Sequence, residues 1–428
     1  MIGSKRSIPS PPTWSGWRPM RRSPSIPSSR ARRSARTIAS CIRWLTPLLG
    51  AAALGSCTRT HSQHGRPFRR PPAPGRRLLV LAPHPDDEAL GAAGLVEVAV
   101  RSGAQVHVVV ATDGEAGPDR TGVPDLAGAR RAETRRALAA LGLGPDAVVF
   151  LGYADGSLAG SWTEAWTARP RGMEPTSAGV IVDALRAALR NAAPDMVIAP
   201  MALDAHPDHR ALNRFALLAL LGEHAKGHWP HVLGYLIHAT GWPADPGDFL
   251  RASCPGSLFL WTGVPLGRDA VLRKAALIGD YRTQIGHTRR LLRFARPMEP
   301  FAREDVIRAP AAMAPTRPGV HVTAGVVVIH VPRGPCVAHP EAGDRLRLRY
   351  FDAAGVEERV VSLGPTLLVR GGKPGGPLAP AGDLSVKLTP GSARLELVAN
   401  TFGEVGGGVL ELLPADDRRI GPAWVLAW

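Results

Sequence analysis

Two short segments of the chain bring histidine and aspartate together in a way that suits metal chemistry. Residues 84–88 read HPDDE and residues 206–210 read HPDHR. Imidazole and carboxylate groups are good zinc ligands, and three such ligands in a catalytic site leave the fourth coordination position for water. One segment alone is a weak signal, because a histidine beside a carboxylate is more often a surface ion pair or a helix cap. Two segments that converge in the fold predict a metal site.

The hydrophobic pattern indicates the elements that must position these segments. Residues 77–83 and 195–200 are short apolar runs, typical of buried parallel strands, and one of the two segments follows closely after each run. The pattern predicts further strands at 105–112 and 147–151. It predicts the intervening helices at 89–101, 127–142 and 177–191. This alternation indicates an α/β fold with a doubly wound, mostly parallel sheet. Ligands bind at the carboxyl ends of the strands in such sheets, so both segments are expected to face one pocket.

The two motifs resemble those of a known family. Residues 82–88 (APHPDDE) with residues 206–209 (HPDH) look like the PIG-L/LmbE-like family of zinc-dependent N-acetylglucosaminyl deacetylases, and the likeness covers residues 78–300. The resemblance implies a Rossmann-like deacetylase domain that holds Zn²⁺, with another divalent metal as an alternative. It implies that the metal ligands are His84, Asp87 and His209.

The resemblance also implies two catalytic roles. Asp86 is then the general base, and His206 stabilises the transition state. The residue types suit these roles, since a carboxylate can pass a proton from water to the leaving amine and a protonated imidazole can donate to an oxyanion. Either Asp204 or Asp208 is expected to orient the His206 ring and raise its pKa. The sequence does not distinguish between the two, and Asp208 is included among the candidate catalytic residues.

Two further segments resemble the family. Residues 130–133 (RRAE) look like a helix whose arginine reaches the substrate, which implies substrate binding by Arg130. Residues 151–156 (LGYADG) look like a segment whose aspartate binds sugar hydroxyls, which points to Asp155. Each has a simpler explanation, because Arg130 and Glu133 have the spacing of a helical surface pair and Asp-Gly is common in turns.

The predicted function is zinc-dependent hydrolysis of the N-acetyl group of an N-acetylglucosamine-type sugar or glycoside, with a small-molecule or glycan substrate. Two alternatives are an N-acyl hydrolase of a non-sugar natural product and a non-catalytic carbohydrate-binding protein on the same fold. The second is disfavoured because all the residues needed for catalysis occur together. The chain lacks a Gly-x-Ser-x-Gly motif, which argues against a serine hydrolase. Residues 91–94 (GAAG) lack the spacing of a dinucleotide fingerprint.

Most of the net charge lies at the start of the chain. The formal net charge is +16, but residues 1–77 carry 16 of the 52 Lys and Arg residues and no Asp or Glu. Residues 78–428 are therefore formally neutral, with 36 residues of each sign. Nucleic-acid binding needs a basic surface with stacking aromatics, and aromatics make up only 5% of the chain, so no nucleic-acid partner is predicted.

Residues 1–77 are predicted to form a basic leader with an export signal and a proline-rich tether. Arginines precede a short apolar run at 44–56, which is typical of a signal peptide and too short to span a bilayer. Residues 54–57 (LGSC) resemble the lipobox of bacterial lipoproteins, which would make a lipid on Cys57 the one membrane anchor. We expect an exported protein of the cell envelope or periplasm. The alternative is a cytoplasmic protein with a disordered leader, for which Met20 is another start.

The rest of the chain is predicted to form two domains. Residues 78–308 form the deacetylase domain. Residues 309–428 form a smaller all-β, sandwich-like accessory domain, because strand-length runs of Val and Leu alternate there with Gly, Pro and Asp. Cys254 and Cys336 either pair or stay as free thiols, and nothing in the sequence indicates the oligomeric state.

Overall fold

The computed structural model describes most of the chain between residues 72 and 304 and shorter stretches beyond. The described residues are 66–67, 72–224, 229–239, 241–243, 261–285, 289–304, 307–308, 320–323, 326–332, 340–341, 343–351, 355–363, 384–389, 392–398, 407–415 and 423–427. The predicted export signal, Cys57, Cys254 and Cys336 lie outside the described residues. Of the helices in the described ranges, none combines the length and the apolar character needed to cross a membrane.

A central sheet with flanking helices forms the larger part of the fold. Its strands are β1 (Arg66–Pro67), β2 (Arg77–Ala82), β3 (Gln105–Thr112), β4 (Val148–Tyr153), β7 (Met196–Pro200), β8 (His231–Tyr235), β9 (Trp261–Pro265) and β10 (Met298–Arg303). The helices are α1 (Asp87–Arg101), α2 (Leu126–Ala140), α3 (Leu158–Ser161), α4 (Gly179–Ala192), α5 (Pro207–His224), α6 (Arg268–Gly279) and α7 (Arg282–Ile285). A small ribbon is formed by β5 (Thr167–Ala168) and β6 (Thr176–Ser177).

Five neighbouring strands of the central sheet, β4, β3, β2, β7 and β8, run parallel. The full order is β1-β9-β10-β8-β7-β2-β3-β4, with β10 antiparallel to both β8 and β9. The predicted α/β fold with a mostly parallel sheet is therefore confirmed. The antiparallel strand β10 is an addition to that prediction.

The sheet is buried on both faces. In β2, Leu78 and Val80 pack into one hydrophobic cluster, and Leu79 and Leu81 pack into another. Helices α1, α2 and α6 contribute to the first cluster, whereas α4 and α5 contribute to the second. Successive residues of a strand point to opposite faces, so a continuous apolar run is what a strand between two helical layers requires.

Two helices begin within the two His-Pro-Asp segments. Helix α1 begins at Asp87 rather than at the predicted Ala89, and α5, which the sequence pattern did not predict, begins at Pro207. Proline suits the first helical position, because its φ is already helical and its missing N–H is not needed there. Asp87 and His209 therefore stand in the first turns of two helices, where the backbone holds them firmly.

The described stretches after residue 306 contain strands in two further sheets. The strands are β11 (Ile307–Arg308), β12 (Val320–Thr323), β13 (Val326–Pro332), β14 (Arg345–Phe351), β15 (Val356–Ser362), β16 (Leu384–Thr389), β17 (Ser392–Val398), β18 (Gly407–Leu413) and β19 (Ala423–Ala427). One sheet has the order β11-β19-β18-β14-β15 and the other the order β12-β13-β17-β16. All pairs are antiparallel except β11 with β19. A sandwich of these sheets and a domain boundary at residue 308 stay predictions.

Helix α1 lies so close to the sheet that residue 91 must be glycine. A Cβ atom on Gly91 would lie 2.5 Å from Cδ2 of buried Tyr235. Gly91→Ala should therefore lower the free energy of unfolding by about 1–3 kcal/mol, measured by urea denaturation. Gly160→Ala is the matched control, because a Cβ there has open space. Equal stability of the two variants would contradict this packing.

Candidate metal centre and active site

Loops at the carboxyl ends of four parallel strands meet at one edge of the sheet. Each loop follows β2, β4, β7 or β8 and carries at least one ionisable side chain to this edge. In chain order these residues are His84, Asp86, Asp155, Asp204, His206 and His238. Parallel strands present their carboxyl ends on the same side, so residues far apart in the chain come together here.

Asp87 lies between the two histidines that were predicted to share a metal with it. Its Oδ2 atom is 3.2 Å from Nδ1 of His84 and 3.1 Å from Nε2 of His209. Ligand atoms placed around zinc at about 2.0–2.1 Å and tetrahedral angles are roughly 3.3 Å apart. The structure therefore brings together the three predicted ligands, and two of the three separations match a tetrahedral zinc site.

Unsatisfied nitrogens support the same interpretation. His209 is fully buried, and within the described residues neither of its ring nitrogens has a partner in hydrogen-bond geometry. Buried polar atoms normally have hydrogen-bond partners, so such atoms indicate a site for a ligand or a water. The described side chains also offer overlapping sets of donors within 4.8 Å of one another: His84 joins His206 and His209 in one set, and Asp87 joins His209 and His238 in another. This donor chemistry fits a zinc ion.

Charge couples these three side chains. Burial disfavours a charged imidazole, but Asp87 and Asp204 outweigh that effect and raise the pKa of His209 to about 9. Burial acts in the same way on His84, but Asp155, Asp208 and Asp87 outweigh it and raise the pKa of that ring as well. Burial alone would raise the pKa of Asp87, but His209 and His84 hold it well below its ordinary value. Without a metal the histidines therefore bind protons, which a metal cation must displace.

His84 has carboxylates behind its ring. Its Nε2 atom lies 3.1 Å from Oδ1 of Asp155 and 3.6 Å from Oδ2 of Asp208. Carboxylates in this position fix the orientation and tautomer of a metal-binding histidine. Asp155 was predicted to bind sugar hydroxyls, and the structure places its carboxylate against a candidate metal ligand instead of in open space. Its contact with a sugar stays a prediction.

Asp204 has the corresponding position behind His209. Its Oδ2 atom lies 3.3 Å from Nδ1 of His209 and accepts hydrogen bonds from the main-chain N–H groups of Ile237 and His238 at 2.9 Å and 3.0 Å. Its Oδ1 atom accepts from the main-chain N–H of His206 at 2.8 Å. The Asp204 carboxylate therefore stands behind the His209 ring, whereas the sequence offered it as a partner for the His206 ring.

The structure contradicts the expectation that an aspartate raises the pKa of His206. Burial, followed by the charges of neighbouring histidines, lowers the pKa of His206 to about 4. The Asp208 carboxylate accepts from the Ala159 N–H at 2.9 Å and faces His84, so only the main-chain N–H of Asp208 reaches Nδ1 of His206, at 3.3 Å. A neutral ring that accepts at Nδ1 carries its proton on Nε2 and can still donate from there.

Asp86 adopts an unusual backbone conformation at the start of α1. Its φ of 119° lies in a region that residues other than glycine rarely adopt. The Asp86 N–H donates to Oε2 of Glu88 at 3.2 Å, and Tyr281 donates its hydroxyl to Oε1 of the same glutamate. Burial, with the charges of Asp87 and Glu88, raises the pKa of Asp86 well above its ordinary value. A buried carboxylate of raised pKa is a stronger base than an exposed one.

Arg130 is buried and held by main-chain oxygens. Its guanidinium donates to the carbonyl oxygens of Gly114 and Pro118. Its charge also acts on Asp86 and Asp155. Arg130 therefore stands beside the site, and its predicted contact with a substrate stays a prediction.

His238 is a site residue that the sequence motifs did not reveal. Its exposed ring lies 4.7 Å from the His209 ring and 5.0 Å from the His206 ring, measured between centroids. It can join Asp87 and His209 in one of the donor sets. The signal that would have found it is its place three residues after β8, at the same sheet edge as the other site residues.

The position of Asp204 gives a test of the metal centre. Asp204→Asn should weaken zinc binding about 10–100-fold, because the amide cannot hold His209 as the carboxylate does. Competition with a chromogenic chelator measures this affinity. Asp183→Asn is the matched control, since the Asp183 side chain is 67% exposed on α4. Zinc affinity that is equal in the two variants would exclude a positioning role for Asp204.

Comparison with known proteins supports the same family. Residues 79–220 match the model of the PIG-L family, described as GlcNAc-PI de-N-acetylase. The chain is 34% identical over 158 residues to a 1D-myo-inositol 2-acetamido-2-deoxy-alpha-D-glucopyranoside deacetylase of Rhodococcus opacus (strain B4), covering 34% of this chain and 53% of that protein. It is 30% identical over 240 residues to the protein of the same name from Mycobacterium sp. (strain KMS), covering 49% of this chain and 74% of that protein. The chain thus spans about half the length of the first relative.

Solved structures are similar over about half of the chain. The conserved protein TT1542 from Thermus thermophilus is 25% identical, with 56% of this chain and 100% of that chain covered and a TM-score of 0.39. The N,N'-diacetylchitobiose deacetylase from Pyrococcus horikoshii is 22% identical, with 49% and 70% covered and a TM-score of 0.36. The matched family model and the coverage of the Mycobacterium relative decide the assignment. The chain belongs to the PIG-L family.

Proposed function

We propose that this chain is a zinc-dependent deacetylase that releases acetate from an N-acetylglucosamine-type sugar or glycoside. One observation carries the proposal: a single Asp87 oxygen lies 3.2 Å and 3.1 Å from nitrogens of His84 and His209, and buried Asp86 precedes it in the chain. The names of the two curated relatives, both deacetylases of an acetamido sugar joined to inositol, support the reaction class.

The proposed zinc ligands are His84, Asp87 and His209. A zinc ion held by three protein groups supplies a Lewis acid for the amide carbonyl and lowers the pKa of a coordinated water. The two histidines are kept in place by Asp155 and Asp204, so the site is arranged before a substrate arrives. The protein's own side chains then have to move the proton and stabilise the developing charge.

Asp86 is the proposed general base. Burial and the adjacent carboxylates raise its pKa, so it accepts a proton from the attacking water readily and can return that proton to the leaving amine. The hydrogen bond from its main-chain N–H to Glu88 holds the turn that carries it. This arrangement keeps the base beside the metal ligands without making it a ligand.

His206 is the proposed donor to the tetrahedral oxyanion. Its ring centroid lies 4.8 Å from that of His84 and 5.2 Å from that of His209, so it faces the same space as the metal ligands. With its pKa lowered to about 4, the ring is neutral near pH 7 and donates from Nε2 as a hydrogen-bond donor rather than as a cation. Arg130 and Asp155 are the proposed contacts to the sugar.

Removal of the proposed base gives the main test. Asp86→Asn should lower kcat for acetate release at least 100-fold, roughly the share that a general base supplies. Acetate is measured with the full chain and zinc, over a panel of N-acetylglucosamine compounds that includes a glycoside of inositol. The variant should still bind zinc, since Asp86 is not a proposed ligand.

Asp146→Asn serves as the control, because Asp146 is exposed and lies before β4, at the opposite end of that strand from Asp155. Acetate release that survives in Asp86→Asn would reject this base. Zinc binding without acetate from any compound in the panel would reject the sugar substrate and favour an N-acyl hydrolase of another compound class.

Metal removal gives a second test. Dialysis against a chelator should abolish acetate release, and added zinc should restore it. The apparent affinity for zinc should rise as the pH rises from about 6 towards 9, because the ligand histidines must lose their protons and the pKa of His209 lies at about 9. Chelator competition at several pH values measures this trend. Full activity in metal-free protein would overturn the mechanism.

A further inference from the structure

Strand β14 buries arginines that a surface strand would leave in water. Its sequence alternates arginine and leucine, and an antiparallel strand with one solvated face would turn the arginines outward. Here Leu346 and Leu348 are buried at 1% and 3% exposure, but Arg347 and Arg349 are buried as well, at 5% and 1%. The arginine face of β14 therefore packs against the deacetylase part of the chain.

A cavity of about 420 Å³ lies where this face meets α5. The charged and aromatic side chains that line it are Arg210 and Arg214 from α5, Arg345 and Arg347 from β14, Glu411 from β18 and Trp162. A water molecule occupies about 30 Å³ in the liquid, so the cavity has ample room for a tetrahedral oxyanion. Four arginines face one carboxylate across its walls.

The one carboxylate on the wall is already engaged. Glu411 lies 2.7 Å from Nε of Arg214 through Oε1 and accepts from Nε1 of Trp162 at 2.9 Å through Oε2. Arg345 pairs with Glu164, and Arg347 lies 3.6 Å from Glu164 and 3.3 Å from Glu358, two carboxylates outside the cavity lining. Four arginines against these three carboxylates still leave the wall with a positive excess.

Arg210 contributes most to this excess. Across the described part of the chain, its hydrogen bonds both go to main-chain carbonyls, from Nη1 to the oxygens of Asp204 and Ala205 at 2.8 Å. Asp204 acts on Arg210 by its charge but faces His209, and Glu304 acts by its charge on Arg214.

We propose that this cavity, the arginine cavity, binds a tetrahedral oxyanion such as a sulfate or phosphate group. Arginine is the side chain best suited to this ligand, because its planar fork donates two parallel hydrogen bonds to neighbouring oxygens. Arginines on two walls can surround the oxygens of a dianion from opposite sides. The group belongs either to a free anion or to a sulfated or phosphorylated sugar that binds in this cavity.

The position of the cavity separates it from the metal centre. At 100° per residue, Pro207, Arg210, Ala211 and Arg214 lie on one face of α5, and His209 lies on the opposite face. The arginine cavity is therefore a second site of the molecule. Its test does not depend on the deacetylase reaction.

Sulfate is the probe, because it is a dianion near neutral pH. Isothermal titration of the full chain with sulfate, at ionic strength held constant with chloride, should give saturable binding with one site per chain. Arg210→Gln should weaken this binding about tenfold or more, since hydrogen bonds to charged groups are the strong ones. Arg136→Gln, at an exposed arginine of α2, is the matched control and should bind as the wild type does.

Arg345→Gln provides a second variant from the opposite wall, where the side chain is 45% exposed and its loss is least harmful to folding. It should also weaken sulfate binding. Absence of saturable binding to the wild type would overturn the proposal. Equal affinity for sulfate in Arg210→Gln, Arg345→Gln and the control Arg136→Gln would also overturn it.

Titration with a sulfated sugar identifies the source of the oxyanion. If the group belongs to a sugar, N-acetylglucosamine 6-sulfate should bind more tightly than sulfate, and Arg210→Gln should weaken its binding about tenfold or more. Binding no tighter than that of sulfate would identify a free anion as the ligand. Both results keep the site, because the sulfate titration alone decides whether it exists.

Discussion

One carboxylate oxygen held between two imidazoles is the interaction on which the rest of the site depends. Asp87 can reach both His84 and His209 because only residues 83–86 separate the end of β2 from the start of α1. That abrupt start forces Asp86 into a left-handed backbone conformation, which costs free energy. The hydrogen bonds through Glu88 and the close packing of α1 on the sheet offset that cost by fixing the turn from two sides.

The second constraint is the burial of charge at this sheet edge. Ionised side chains are costly in an apolar interior unless partners surround them, and each candidate ligand histidine here has an acidic partner behind it. These partners come from different loops, so the sheet must align four strands before the site exists. The site therefore depends on strand register, because a shift of β4 against β2 would separate His84 from Asp155, and a shift of β7 against β2 would separate His209 from Asp87.

Much of this arrangement is predictable from local sequence. The strands β2, β3 and β7 follow from apolar runs, and the rule for parallel sheets brings residues 84–88 and 206–210 to one edge. The partners of the ligands are not predictable in this way, since the contact of Asp204 with the His238 amide depends on a strand that the pattern did not reveal. The burial of the arginines of β14 was also not predictable, because an alternating strand predicts one solvent-exposed face. The strand's own sequence does not indicate which part of the chain covers that face.

Helix α5 holds His209 on one face and Arg210 on the other, so the two faces share one rigid backbone. Thermodynamic linkage makes any coupling across such a helix reciprocal. If a ligand in the arginine cavity changes the affinity of the metal centre by some factor, the metal must change the affinity of that ligand by the same factor. In that case the C-terminal strands, whose arginines form one wall of the cavity, affect the metal affinity of the centre. They do so although they supply none of its proposed ligands.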